Sequence, residues 1–225
     1  MGRLFLVRHA TTDASASGRN LGQLTDAGLT PEGRRLADRT GCAIAWELAD
    51  LPEVQLRLVT SPALRCRETA EAIVRATATS HPGTAPAIEP ELHELDYGAW
   101  EGMTPDECRQ RDPHLRDEWE ADPYAVRAPG GESGADVAAR AFPLLAAIDD
   151  WVSQADGRVA IVVSHNHVIR LRLAALLGLP LADYRRRFVV DPGSYSLIAV
   201  GGVEPPALTA IAVQRLGVLA PEPGC

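Results

Sequence analysis

The chain alternates between short apolar runs and longer stretches in which apolar residues recur at helical spacing. Leu4-Phe5-Leu6-Val7 reads as a buried strand that ends at Arg8-His9. Thr30-Pro31-Glu32 predicts a helix start, with Thr30 as N-cap and Pro31 in the first turn. Leu36, Thr40, Ile44 and Leu48 then repeat on one face. Residues 56–60 form a second strand, and Ser61-Pro62 opens a second helix with Leu64, Ile73 and Val74 among its apolar positions. Residues 80–91, rich in Pro and Gly, read as loop. Pro105, Pro113, Pro123 and Pro129 break residues 104–133 into short helices and loops. A helix pattern returns over 134–151 through Val137, Ala141, Leu144, Leu145 and Ile148, with Pro143 as a kink. Residues 158–163 are the clearest strand; an apolar run of this kind belongs at the centre of a sheet. A helix follows from about 167 to 177, closed by Gly178 and Pro180. Residues 195–200 and 208–213 read as further strands, and the tail from Ala220 as mobile.

Strands alternating with helices predict an α/β fold, a three-layer α/β/α sandwich around a mostly parallel central sheet. No internal repeat divides the chain, so residues 1–219 form a single domain in this reading. Ligands of such sheets bind outside the carboxyl ends of the strands. Three strands end in polar residues there: Arg8-His9, Thr60-Ser61 with Arg65 a turn later, and Ser164-His165. Strand geometry brings them to one edge.

Composition narrows the partner. The 225 residues carry a formal net charge of -8, which excludes a general nucleic-acid surface. Converging cations in a cleft can still attract a small anion. The four cysteines have no paired spacing, so separate reduced thiols and a cytoplasmic location are expected. The first apolar stretch is too short for a signal sequence, and no run reaches the length of a membrane span.

The chemistry lies in a few side chains. Arg8 offers five donors in a fixed fork suited to phosphate, and its neighbour His9 is a nucleophile if its imidazole is neutral and aimed. Arg65, in the first turn of its helix, can reach back over the strand end; Arg67 reads as a solvated charge. His165 ends the strongest strand, and the amides of Asn166 and His167 beyond it stand at a helix N-terminus, which favours an anion. Residues 91–102 mix acids, aromatics and two glycines and read as an active-site loop. A carboxyl group beside a bound phosphate can protonate the leaving oxygen. Glu94 is the candidate; Glu91, Asp96 and Glu101 compete for that role on chemistry alone.

Taken together, these residues resemble the histidine phosphatase superfamily, also called phosphoglycerate mutase-like. The family opening Arg-His-Gly-x-Thr stands as Arg8-His9-Ala10-Thr11-Thr12. The run from Gly22 to Leu29-Thr30 and Gly33 follows, then Ser61, Arg65, Thr69 and Ala70, and the loop glycines Gly98 and Gly102 after Glu94. Gly130-Gly131-Glu132-Ser133 and Ser164-His165-Asn166-His167-Val168-Ile169-Arg170 complete the order, and the matches run from residue 4 to about 200. The resemblance implies that His9 attacks phosphorus and carries the phosphoryl group. It implies that Arg8, Arg65 and His165 clamp the phosphate oxygens, with Ser15 and Asn166 as further substrate contacts. Glu94 would act as general acid and then as base toward water.

Three departures stand out. Ala10 replaces the usual Gly, Ser15 stands where many members have Asn, and Asn166 replaces the Gly after the second histidine. His167 makes a His-x-His pair with His165, so a metal site of His9, His165 and His167 is the competing arrangement. The surplus of cationic partners suits phosphate, so neither metal nor cofactor is expected, and His167 is placed at the pocket rim. The implied activity is hydrolysis of a small phosphorylated metabolite, with no nucleic acid or membrane as partner. The alternatives are a bisphosphoglycerate-dependent mutase, disfavoured by the short acid-rich segment between Trp100 and Pro129, and a noncatalytic phosphate-binding protein. The oligomeric state stays open, a homodimer being one candidate.

Overall fold

The computed structural model describes residues 2–49, 51 and 54–200. Strand β1 (Gly2–Arg8) is followed by the single turn α1 (Asp13–Ala16), α2 (Pro31–Ala49), β2 (Gln55–Thr60), α3 (Leu64–Thr77) and a two-residue strand β3 (Ala87–Ile88). Two 3-10 turns, Pro90–Leu92 and Gly98–Trp100, flank the acidic loop. Helices α4 (Pro105–Arg111) and α5 (Pro113–Ala121) precede α6 (Gly134–Ser153), β4 (Arg158–Ser164), α7 (Asn166–Leu176), α8 (Tyr184–Arg187) and β5 (Tyr195–Val200).

The sheet order is β3-β2-β4-β1-β5, with β4 central as its apolar run requires. All neighbours pair in parallel except β1 with β5. The sheet side chains alternate between two cores. Phe5, Val7, Val159, Ile161 and Val163 face a cluster with Ile44 of α2 and Ile73 of α3. Leu4, Leu6, Ala160 and Val162 face the other cluster, with Val137 and Leu145 of α6 and Val168 and Leu171 of α7. Both faces of the sheet are thus covered, giving the expected three layers.

Register fixes the functional edge. Arg8 lies opposite Ser164, and Thr60 opposite Val163. The ladder runs one step further on each side: His9 N–H donates to Ser164 O at 3.0 Å, and Ser61 N–H to Val163 O at 3.0 Å. His9, Ser61 and His165 therefore leave the sheet side by side.

Several local expectations need adjustment. Because Ser61 still belongs to the ladder, α3 starts at Leu64, three residues after the sequence signal. Thr30 does cap α2, its Oγ1 accepting from Gly33 N–H at 2.9 Å. The loop over 80–91 contains the edge strand β3, and helix α6 continues through Pro143. Cys66 and Cys108 are free and buried, whereas Cys42 is disulfide-bonded, so the expectation of four separate thiols fails at that position. The readings of 208–213 as strand and 220–225 as tail lie outside the described residues. Among the described residues no helix is long and apolar enough to cross a membrane.

Candidate active site

His9 is buried at the end of β1, and its Nδ1 lies 2.8 Å from Ala10 O. A carbonyl oxygen can only accept, so Nδ1 carries the proton and Nε2 keeps its lone pair in the neutral ring. Burial, and then the guanidiniums of Arg65 and Arg8, hold the His9 pKa well below the ordinary histidine value. The imidazole is thus neutral at physiological pH, the state a nucleophile requires. The turn that follows is fastened to α2: Thr30 N–H donates to Thr11 O at 3.0 Å, and Gly33 passes so close that a Cβ there would sit 2.1 Å from that oxygen.

Two guanidiniums, from α3 and β1, and a second histidine at the end of β4 surround His9. Arg65, 1% exposed, donates Nη2 to Gly22 O at 2.9 Å, while its Nε is buried without a partner. Arg8 donates Nη1 to Val190 O at 2.5 Å, and its Nε is also unpartnered. His165 sits with its ring centroid 5.2 Å from that of His9, and its Nε2 lies 2.8 Å from Ser61 Oγ. Burial, then Arg65 and His9, keep His165 neutral as well. A cavity of about 250 Å³ opens beside Arg65, lined also by Gly22, Gln23, Asp26, Pro62 and His93.

Glu94 is buried beneath this cluster. Its Oε1 accepts from Leu95 N–H at 2.9 Å and His167 N–H at 3.3 Å, and its Oε2 from Asn166 N–H at 3.1 Å. The anion seat foreseen at the start of α7 is therefore taken by the Glu94 carboxyl itself. Burial raises its pKa, opposed by the Leu95 amide and by Arg65 and Arg8. Its competitors are engaged otherwise. Asp96 Oδ1 accepts from Gly98 N–H at 2.8 Å, both Glu101 oxygens take Gly22 N–H at 3.1 and 2.9 Å, and Glu91 is exposed.

Two expected positions differ. The Ser15 hydroxyl is spent on a capping box with Thr12, accepting from Thr12 N–H at 2.9 Å and donating to Thr12 O at 2.9 Å, so its hydrogen bonds join none of the cluster. His167 is not at a rim. It is buried with Nε2 2.8 Å from Tyr97 Oη and Nδ1 2.5 Å from Tyr184 Oη. A neutral ring has one donor and one acceptor, so one tyrosine donates and the other accepts. With both nitrogens occupied, His167 cannot join His9 and His165 around a metal. Asn166 meets Glu94 through its backbone N–H, and its own Oδ1 is buried without a partner.

Sequence reasoning missed the brace that holds the acidic loop. Arg140 on α6 donates to the carbonyls of Glu91, His93 and Glu94 at 2.6, 2.8 and 3.0 Å and pairs with Glu132 at 2.9 Å. Glu132 in turn accepts from Asp96 N–H at 3.0 Å. The backbones of Gly98 and Gly131 meet there: a Cβ on Gly131 would sit 2.2 Å from Asp96 O. The acid after Gly130-Gly131 was the available signal.

The model of the histidine phosphatase superfamily (branch 1) matches residues 4–210. A glucosyl-3-phosphoglycerate phosphatase of Mycolicibacterium vanbaalenii is 35% identical over 81% of this chain and 77% of its own. Phosphoserine phosphatase 1 of Hydrogenobacter thermophilus is 30% identical over 88% of this chain and 86% of its own. Among solved structures, a mycobacterial glucosyl-3-phosphoglycerate phosphatase in complex with VO3 matches with TM-score 0.72 and 29% identity, covering 88% of this chain and 93% of that one.

Proposed function

Because this chain belongs to the histidine phosphatase superfamily, we propose that it hydrolyses a small phosphorylated metabolite through a phosphohistidine formed on His9. The observation that carries the reading is the His9 ring: its Nδ1 proton is spent on Ala10 O, and its basicity is suppressed by burial, Arg65 and Arg8. Nε2 attacks phosphorus as the bond to the leaving oxygen breaks, and the Glu94 proton passes to that oxygen. The Glu94 carboxylate then takes a proton from water, the water oxygen attacks phosphorus, and the P–N bond breaks to release inorganic phosphate. Arg8, Arg65 and His165 hold the equatorial oxygens, where the transferring charge spreads.

The cations of this site are guanidiniums, which supports metal-independent turnover. The test is direct. His9→Ala should abolish phosphate release while keeping the fold, and labelled substrate should leave an acid-labile, base-stable phosphoprotein in wild type alone. EDTA should leave the rate intact. Normal turnover by His9→Ala would refute the mechanism.

A further inference from the structure

His167 lies two residues beyond His165, yet its ring takes no part in the His9 cluster. It is the second residue of α7, buried among Tyr97, Trp119 and Tyr184 with ring centroids 5.6, 6.1 and 5.5 Å away. Its Nε2 is 2.8 Å from Tyr97 Oη and its Nδ1 2.5 Å from Tyr184 Oη. Burial keeps both phenols protonated, and burial followed by the charge of Arg185 keeps the imidazole neutral. The three side chains thus form one uncharged chain of hydrogen bonds in the protein interior.

The same residue meets the acid through its backbone. His167 N–H donates to Glu94 Oε1 at 3.3 Å, and Tyr97 lies three residues after Glu94 on the acidic loop. His167 therefore holds that loop at two points, the carboxyl with its amide and Tyr97 with its ring. The Arg140–Glu132 brace grips the carbonyls of Glu91, His93 and Glu94 and the amide of Asp96, but it ties them to α6, not to α7.

The need for a second point on α7 follows from the proton. An ionised carboxylate accepts charge-assisted hydrogen bonds, roughly twice as strong as neutral ones. Glu94 must be protonated when the leaving oxygen departs, and its grip on the α7 amides is then at its weakest. The bond between the His167 ring and Tyr97 carries no net charge and does not loosen with that proton.

We propose that His167 is a positioning residue: its imidazole, held between Tyr97 and Tyr184, latches the acidic loop onto α7 and keeps the Glu94 carboxyl aimed while it carries the proton for the leaving oxygen. The inference rests on the phosphatase reading and adds to it a residue that acts through Glu94.

The test is a double-mutant cycle read on two esters. One is p-nitrophenyl phosphate. The other is whichever of glycerol 3-phosphate, phosphoserine and 3-phosphoglycerate wild type hydrolyses fastest. The quantity is kcat/KM, which reports events up to formation of the phosphoenzyme. His167→Leu should lower the alkyl value roughly 10- to 100-fold, the cost of a misplaced catalytic group, and the aryl value far less. His167→Gln, which keeps a polar group toward Tyr97, should recover part of the loss. In a Glu94→Gln background, His167→Leu should change the alkyl value by about twofold or less, because the group it positions is already gone. Where urea unfolding shows His167→Leu to be unfolded, Tyr184→Phe decides instead: it keeps the ring, removes one hydroxyl, and should cost the alkyl ester roughly 3- to 10-fold, the worth of one hydrogen bond. A parallel fall on both esters, or a full loss repeated on top of Glu94→Gln, would make the network merely structural and overturn the inference. Wild-type release from the aryl ester alone would also overturn it, since no acid would then be at work. No release from any ester sinks the phosphatase reading and the inference with it.

Discussion

Replacing Glu94 by Gln separates proton donation from every other task at the site. The carboxyl accepts three backbone N–H groups, from Leu95, Asn166 and His167, on its two oxygens. Gln keeps one oxygen and turns an NH2 toward one of those donors. One buried amide then loses its acceptor, at a cost of about 1–3 kcal/mol in stability. The pH dependence of that cost has a definite sign. The Glu94 pKa is raised in the folded protein, so its protonated form is favoured there. Its contribution to stability is complete below the unfolded carboxyl pKa and fades as pH rises through the folded value. The deficit of Glu94→Gln should therefore be largest in acid and shrink as pH rises.

Catalysis should suffer more than folding. Loss of the general acid is worth roughly 100- to 10,000-fold in turnover of an alkyl phosphate, about 3–5 kcal/mol of barrier. p-Nitrophenolate needs little protonation to depart, so the aryl ester should lose far less at the transfer step. The assay is the alkyl-to-aryl ratio for Glu94→Gln, Glu91→Gln, Asp96→Asn and Glu101→Gln. Asp96 and Glu101 hold loop amides, so their variants should slow both esters in parallel. A selective alkyl defect in Asp96→Asn or Glu101→Gln, absent from Glu94→Gln, would refute the assignment of the acid.

Two further outcomes follow. Burial and the neighbouring arginines depress the His9 pKa, so the acid limb of kcat/KM should fall below pH 6.5; a limb centred at or above that value would contradict the neutral-nucleophile argument. Gly33→Ala drives a methyl group into Thr11 O at 2.1 Å, so urea unfolding should show a loss of about 1–3 kcal/mol together with reduced turnover, and an unchanged midpoint and rate would show that the turn after His9 does not depend on this approach.

The sheet and its edge were legible because they rest on local pattern. An unbroken apolar run marks 158–163 as the central strand, and polar residues at three strand ends locate the candidate site. Much of what escaped depends on contacts far apart in sequence. Strand β3 is two residues long and exists through its register with Val59 and Thr60. The burial of His167 depends on Tyr97 and Tyr184, which lie 70 residues before it and 17 after it. Ser15 was matched to a family position, yet its neighbour Thr12 claims the hydroxyl through a local capping box. Ala10, which stands where the family has Gly, packs with Leu29, Ala37 and Ala72.

The seat of Glu94 at the start of α7 has a consequence for the order of events. An acid that gives up its proton in a protein interior would ordinarily be left as a stranded anion, eager to reclaim the proton and reverse the step. Here the new charge meets the positive end of a helix through the amides of Asn166 and His167. The same seat that keeps the acid in place also shelters its conjugate base. In the proposed cycle, the charge made in the first half is held in reserve until water arrives to spend it. The helix thereby limits the penalty of carrying that charge between the two half-reactions, although burial still leaves the protonated form favoured.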